Sequence, residues 1–435
     1  MSLFYLKYLT KTNYLNFLFV TIPISFIAGN TAINANIVLL ILSTFFFFGS
    51  NPIKVKYYFL DKIIILFFLM TLFTSFFNNL YLYYGDVKTF PKDFTIILKS
   101  LSYLRYFALY LVIRFLIEKE ILNFKYFFIS CFLFSTFVSL DIFYQLTFGK
   151  DIFGFEATGR KLSGPFDDEL IAGSYLQRFS LFSFFLFPIF FKTETKKIIK
   201  SLIPLLFLCF ISAIIISGNR MPLVLYILGL SALLIFQKET RKYIPIFVVV
   251  FSLTFLMIYK FNSTVRSNFN NFYYQVDAVI KTSVLKKEKG NNFSNYSKEF
   301  NTFYDTWLMN KYIGGGIKSF RYYCHVRPNI DKNSQFVCNM HPHNYYLEIL
   351  TETGIIGFLI ITSIFFMILN ISFFKKYFSN SRLKYNHIIT PFIFLFLIEI
   401  FPIKSTGSFF TTANATFIFL IISVIIAISR KENLN

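Results

Sequence analysis

Charge is scarce in this chain: Asp, Glu, Lys and Arg make up 15% of its 435 residues, and the acids number only 22. A soluble domain could not hide the 55% of residues that are apolar, 64 of them Phe and 28 Tyr, behind so few charges. The shortage excludes an ordinary soluble fold and leaves lipid as the main solvent. No A-x-A cleavage site follows the first apolar segment, so the stretch after Lys7 and Lys11 reads as an uncleaved span and not as a signal peptide. No internal repeat or domain boundary is evident, so residues 1–435 read as a single membrane domain. The formal charge of +21 does not call for nucleic acid, which requires Lys and Arg gathered on one soluble face. Here they lie between apolar runs.

A span needs about 20 mostly apolar residues. Twelve such segments centre near Phe19, Leu40, Leu69, Phe107, Phe134, Phe182, Phe207, Leu228, Val250, Ile360, Phe394 and Ile421, which predicts an all-α polytopic protein of about 12 transmembrane helices. With both termini inside, the cytoplasmic segments hold 21 Lys and Arg, and the short loops opposite hold seven. That asymmetry is the positive-inside signature, and it fixes orientation. One connection, residues 261–343 between the ninth and tenth spans, is far longer than the others and falls outside. Loops of this length are usually functional. Two stretches in it have helical spacing, Val265, Phe269, Phe272, Val276, Ile280 and Val284, then Phe293, Tyr296, Phe300, Phe303 and Trp307, and the simplest role for these faces is to dock the loop on the membrane domain.

Five ionisable residues fall inside the expected spans: Lys99, Arg105, Asp141, Arg178 and Glu399. Charges there face a protein interior or a water-filled cavity, and all five belong to the outer half or the midplane. A mostly cationic vestibule open to the outside is one reading. The other is structural pairing, Arg105 with Asp141 for example, or snorkelling.

The long loop ends in HPHNYYLEILTETGIIGF, from His341 to Phe358. Pro342 suits a first helical position, which would put His343 and Asn344 in the first turn of a span, where free N–H groups and the helix dipole favour an anion. Three of the four His, His325, His341 and His343, fall in this loop. LSGPFDDELIAGSYL (162–176), SGNR (217–220) and GGGIKSF (314–320) share the outer placement. In their order and placement these stretches resemble the O-antigen ligase and O-antigen polymerase superfamily of bacterial membrane glycosyltransferases, over about residues 162–358.

The resemblance implies transfer of a glycan from a polyprenyl-pyrophosphate carrier to an acceptor hydroxyl, on lipid A-core for a ligase or on another glycan for a polymerase. It implies no metal, nucleotide or other cofactor, and a site facing the periplasm from the inner membrane. The residues present suit that chemistry. His343 could act as base toward a sugar hydroxyl, and Arg220 could hold the departing diphosphate bidentately. Arg266 is a second phosphate candidate, because the family carries an Arg near that place. Arg160, Lys161, Arg178 and Asn344 are further donor-binding candidates, the cations having lipid head groups as the competing partner, while His341 and Glu348 stand behind the reacting groups.

Cys324 and Cys338 share the external loop, where thiols tend to pair. A bridge between them would close a loop of roughly 15 residues, stabilise by about 3 kcal/mol in the chain-entropy model, and tether the segment leading into His343. The rival is a zinc site drawing on Cys324, His325, Cys338, His341 and His343, although the spacing lacks a CxxC knuckle. A lipid-linked-sugar flippase would also carry twelve spans and a cationic cavity, but with repeat symmetry and midplane sites. Here the signals gather in one external loop.

Overall fold

The structure, a computed structural model, describes residues 3–84, 94–157, 161–186, 196–238, 240–279, 295–327, 338, 343–378, 386–405 and 407–433. Among these the chain is helical, with a lone bridge between Lys150 and Glu156 and no strand. The helices are α1 (Leu3–Val20), α2 (Ile22–Ile27), α3 (Asn30–Phe48), α4 (Phe59–Tyr84), α5 (Thr95–Glu118), α6 (Phe124–Phe148), α7 (Ala172–Ser183), α8 (Lys196–Ile216), α9 (Arg220–Phe236), α10 (Ile244–Phe261), α11 (Ser263–Val279), α12 (Asn295–Met309), α13 (Tyr345–Leu369), α14 (Asn386–Glu399) and α15 (Thr412–Asn433). Helices satisfy their own backbone groups, which is what lipid requires of a spanning segment.

Each of the twelve predicted centres falls in a helix, but among the described residues seven segments are long and apolar enough to cross a membrane: Asn30–Phe48, Phe59–Tyr81, Thr95–Glu118, Phe124–Phe148, Arg241–Phe261, Tyr345–Phe378 and Thr412–Lys431. The shortfall lies partly at α7, α9 and α14, which run for 12, 17 and 14 residues where a bilayer needs about 20. Each of the three carries a charged residue at or beneath one cavity: Arg178 lies within α7 and Arg220 opens α9, both lining it, and Glu399, which closes α14, pairs with Arg178.

The last helix is the axis of the bundle. Of its span, 89% of residues are buried, against 6% for Arg241–Phe261 at the periphery. An all-round apolar helix is at home in either place, and packing decides which: α15 lies against α5 and α14, α10 mainly against α8. At the far end of α15, Asp61 takes ion pairs from Arg114 (2.8 Å) and Arg430 (2.8 Å) and a hydrogen bond from Tyr110, while Arg114 also pairs with Glu118 at 2.7 Å. Asp61 and Arg114 are fully buried, and the network ties α4, α5 and α15 together.

The helix after the long loop is broken. At Gly354 (φ +65°, ψ −173°) the chain leaves helical geometry, in a conformation only glycine adopts readily. The GGGIKSF segment fills the break: Gly315 N and Gly316 N donate to Thr351 O and Glu352 O at 3.1 and 2.8 Å, and Ile355 N and Ile356 N donate to Lys311 O and Tyr312 O at 2.9 and 3.2 Å. A Cβ on Gly314 would stand 2.4 Å from Gly354 N, so the approach requires glycine. The two helical stripes of the loop appear as α11 and α12; Ile280, Val284 and Phe293 lie outside the described residues. Phe269 of α11 packs edge-on against Phe255 of α10, and Phe303 of α12 stacks on Phe320 at 3.9 Å. Val265 and Phe303 are buried, whereas Val276 and Phe300 of the same stripes are exposed, so each face docks only in part.

Candidate active site

A cavity of about 680 Å³ opens where α7, the start of α9, the loop helices and the connection from α14 to α15 converge. Its lining includes Lys161, Arg178, Arg220, Gln275, Glu299, His343, Lys404 and Asn414.

Arg220 reaches this cavity because the sequence interrupts a helix there. Chain direction changes between α8 and α9 at Gly218 (φ +73°), and Arg220 becomes the first residue of α9. The SGNR turn is gripped by the 162–176 stretch: Leu162 N donates to Ser217 O at 3.3 Å, and a Cβ on Gly173 would lie 2.7 Å from Asn219 Cβ. Arg220 Nη1 donates to Gln275 Oε1 of α11 at 3.2 Å, and its guanidinium lies over the Phe272 ring at 5.8 Å. A cation at the positive end of a helix dipole is unfavourably placed until an anion arrives. This placement favours an anionic ligand.

The floor of the cavity is a buried ion cluster in which two cations share one carboxylate. Arg178 Nη2 and Lys404 Nζ each lie 2.7 Å from Glu399 Oε1, and Tyr345 donates its hydroxyl to the same oxygen at 2.5 Å. Arg178 also donates to Asn414 Oδ1 at 2.5 Å and stacks over Phe417, and Lys404 Nζ sits 4.2 Å from the centre of the Tyr345 ring. The cluster carries one positive charge in excess. Burial pushes the Lys404 ammonium down to about 8, with Glu399 opposing that shift. Isolated charge is unfavourable in such surroundings, so the cluster is primed for a further anion.

His343 stands at the rim, half-exposed, with Nε2 4.0 Å from Glu299 Oε1 of α12. Asn344, expected in the first turn as a donor-binding candidate, is the cap of α13: Oδ1 accepts from Tyr346 N (2.9 Å) and Leu347 N (3.2 Å), and Nδ2 donates to Pro402 O (2.7 Å) and Lys404 O (3.1 Å). Its cap geometry starts the helix at Tyr345, later than Pro342 would have set, and places His343 just ahead of it. The carboxamide is engaged on every side and holds the Lys404 segment in place. Glu348, one turn on and fully buried, accepts from Ser408 Oγ and Phe409 N, both at 2.5 Å, with Lys318 Nζ at 3.3 Å. It fastens the GGGIKSF segment and the α14–α15 connection to α13.

Other expected residues lie elsewhere. Arg266 is exposed on α11 and does not line the cavity; Gln275, nine residues on, does. Arg160 and His341 lie outside the described residues. Of the five charges expected to build one vestibule, Arg178 and Glu399 meet, whereas Lys99 is exposed. Arg105 does not pair with Asp141: it donates to Ser102 O and Tyr106 Oη, each at 2.7 Å, while Asp141 accepts from Ile152 N at 2.8 Å. Both find partners within their own stretch of chain. Cys324 and Cys338 are bonded to each other, with Cα atoms 5.8 Å apart, so neither offers a thiolate to a metal. Lys404, Gln275 and Glu299 were not singled out from the sequence. Only Lys404 left a signal there, five residues after the intramembrane Glu399.

The family model for O-antigen ligase matches residues 205–362. That segment is similar to an O-antigen ligase domain. It holds SGNR, both loop helices, the GGGIKSF insert, His343 and the break in α13, and it supports a likeness to the O-antigen ligase and polymerase superfamily. Arg178 and Lys404 lie outside the matched segment yet line the same cavity as Arg220 and His343, with Glu399 paired to both beneath it. No curated protein matches the chain.

Proposed function

We propose that this protein is an O-antigen ligase-type glycosyltransferase that moves a glycan from a polyprenyl diphosphate to an acceptor hydroxyl, on lipid A-core, at the periplasmic face of the bacterial inner membrane. The observation that carries the reading is the meeting of Arg220, Arg178, Lys404 and Lys161 with His343 in one cavity. In this reading the diphosphate binds over the floor cluster and under Arg220, where each cation at about 4 Å is worth about 4 kcal/mol of attraction at an effective dielectric of 20. Those contacts strengthen as charge develops on the departing diphosphate, so they lower the barrier and do more than bind the ground state. His343 removes the acceptor proton. The reaction then needs no metal, nucleotide or other cofactor, because cations of the chain take up the leaving charge. The topology that fits this reading has twelve spans, the shorter helices included, with the 261–343 loop between the ninth and tenth.

The test is to express His343→Ala and Arg220→Ala in cells lacking the wild-type gene, then measure transferred glycan against accumulated carrier-linked glycan. Each variant should insert normally, lose transfer by at least 100-fold and accumulate the carrier-linked form. Wild-type transfer by either variant rejects its assigned role. Deleting the gene separates the two acceptors, since unligated long chains mark a ligase and single-repeat glycans mark a polymerase. Reporter fusions that put residues 261–343 in the cytoplasm would reject the topology.

A further inference from the structure

Glu299 lines the cavity, yet a carboxylate is the wrong charge for a site that takes a diphosphate. Its position is not accidental to the helix that bears it. Phe303, one turn after Glu299 on the same face of α12, is buried in a cluster with Phe320 and Cys324. Leu347, one turn after His343, packs on that same cluster. The two packing residues therefore set the register of the two polar ones, and Glu299 and His343 come to 4.0 Å, carboxylate toward ring nitrogen. The Cys324–Cys338 disulfide adjoins this cluster, with Cys324 buried in it and Cys338 packed against it. The other loop helix does the equivalent for Arg220 through Gln275. There an amide meets a fixed cation; here an acid meets a base.

We infer that Glu299 is the positioning residue of the proton transfer: its carboxylate holds the His343 ring and stabilises the imidazolium that forms when the acceptor hydroxyl gives up its proton. This rests on the reading of His343 as the base. The acceptor O–H bond breaks and its proton passes to the ring nitrogen of His343 that faces away from Glu299. The acceptor oxygen forms the new bond to the anomeric carbon, and the bond from that carbon to the diphosphate oxygen breaks. The electron pair leaves with the diphosphate, held by the cations of the cavity, and the imidazolium later returns its proton to water. Glu299 stays ionised throughout and touches neither reacting sugar, as in other acid–base–acid arrangements where the third group orients the base.

The experiment uses full-length protein in proteoliposomes, with carrier-linked glycan and acceptor lipid both extracted from cells lacking the gene. Glu299→Gln should lower kcat by about 100-fold while leaving KM for the carrier-linked glycan unchanged or lower, because an acid facing the diphosphate has been removed. Glu299→Asp, which keeps the charge, should recover at least a tenth of the wild-type rate. In a His343→Ala background Glu299→Gln should produce no further loss, since the two act as one unit. Wild-type kcat in Glu299→Gln, or a further 100-fold loss on top of His343→Ala, would overturn the assignment. Should Glu299→Gln fail to accumulate, Glu299→Asp decides alone: kcat reduced with KM unchanged supports the inference, and KM raised with kcat unchanged rejects it. Active His343→Ala would instead sink the proposed function, so the two failures are distinguishable.

Discussion

The two ends of α15 each carry a buried ion network, and their differences separate a fastening from a site. Arg430 at one end and Asn414 at the other are sixteen residues apart, about 24 Å along the helix. Near Arg430, two arginines face Asp61 and Glu118, and the charges cancel. Near Asn414, Arg178 and Lys404 face Glu399 alone, and a cavity opens above them. The chemistry is alike, and what differs is the balance of charge and the access to it. A neutral, closed network can only hold helices together, whereas an unbalanced, open one has an unmet demand for a ligand.

This contrast can be broken at several points. The largest effect belongs to Asp61→Asn, which takes the shared carboxylate from buried Arg114 and from Arg430 and should destabilise by about 3–5 kcal/mol; thermal unfolding in detergent should show it, while the folded fraction keeps wild-type turnover. The paired Cys324→Ser and Cys338→Ser change should loosen the His343 region by about 3 kcal/mol, read as faster proteolysis of the long loop and a fall in transfer, with α15 and its far-end network unaffected. Lys404→Met leaves the Arg178–Glu399 pair intact and removes the excess charge. It should raise KM for the lipid-linked donor by about tenfold to a hundredfold, the equivalent of 1.5–3 kcal/mol, with stability little changed. An equal loss of stability at both ends would erase the distinction between them. The smallest effect is in pH: with the Lys404 ammonium lowered to about 8, donor affinity should decline as pH rises through 8 and the excess charge disappears, whereas the arginines opposite keep theirs. Donor affinity constant from pH 7 to 9 would exclude Lys404 from binding.

Much of this was legible in the sequence where the cause is local. All twelve predicted centres fall in helices, as hydropathy indicated, and Pro342 pointed to a helix start near HN. The site itself was only partly legible. Spacing says which face of a helix a residue occupies but not which helix comes to meet it, so Arg178 and Glu399 were visible as buried charges and invisible as partners. Arg105 and Asp141 show the converse, two charges that looked complementary and each found a nearer backbone or hydroxyl partner. Asn344 looked like a ligand because its role as a cap depends on where the helix begins, which Pro342 misplaced by a few residues. Glu299 sits in an unremarkable context, and only tertiary packing brings it to the cavity.

The break in α13 bears on how the protein is made. Residues 311–316 leave the ribosome before residues 351–356, whose open carbonyl and amide groups they complete. The second half of that helix can thus enter lipid fully hydrogen-bonded only if the earlier segment is already waiting beside it. Shortening the long loop, or delaying its arrival, should halt biogenesis at this one helix and leave those before it inserted.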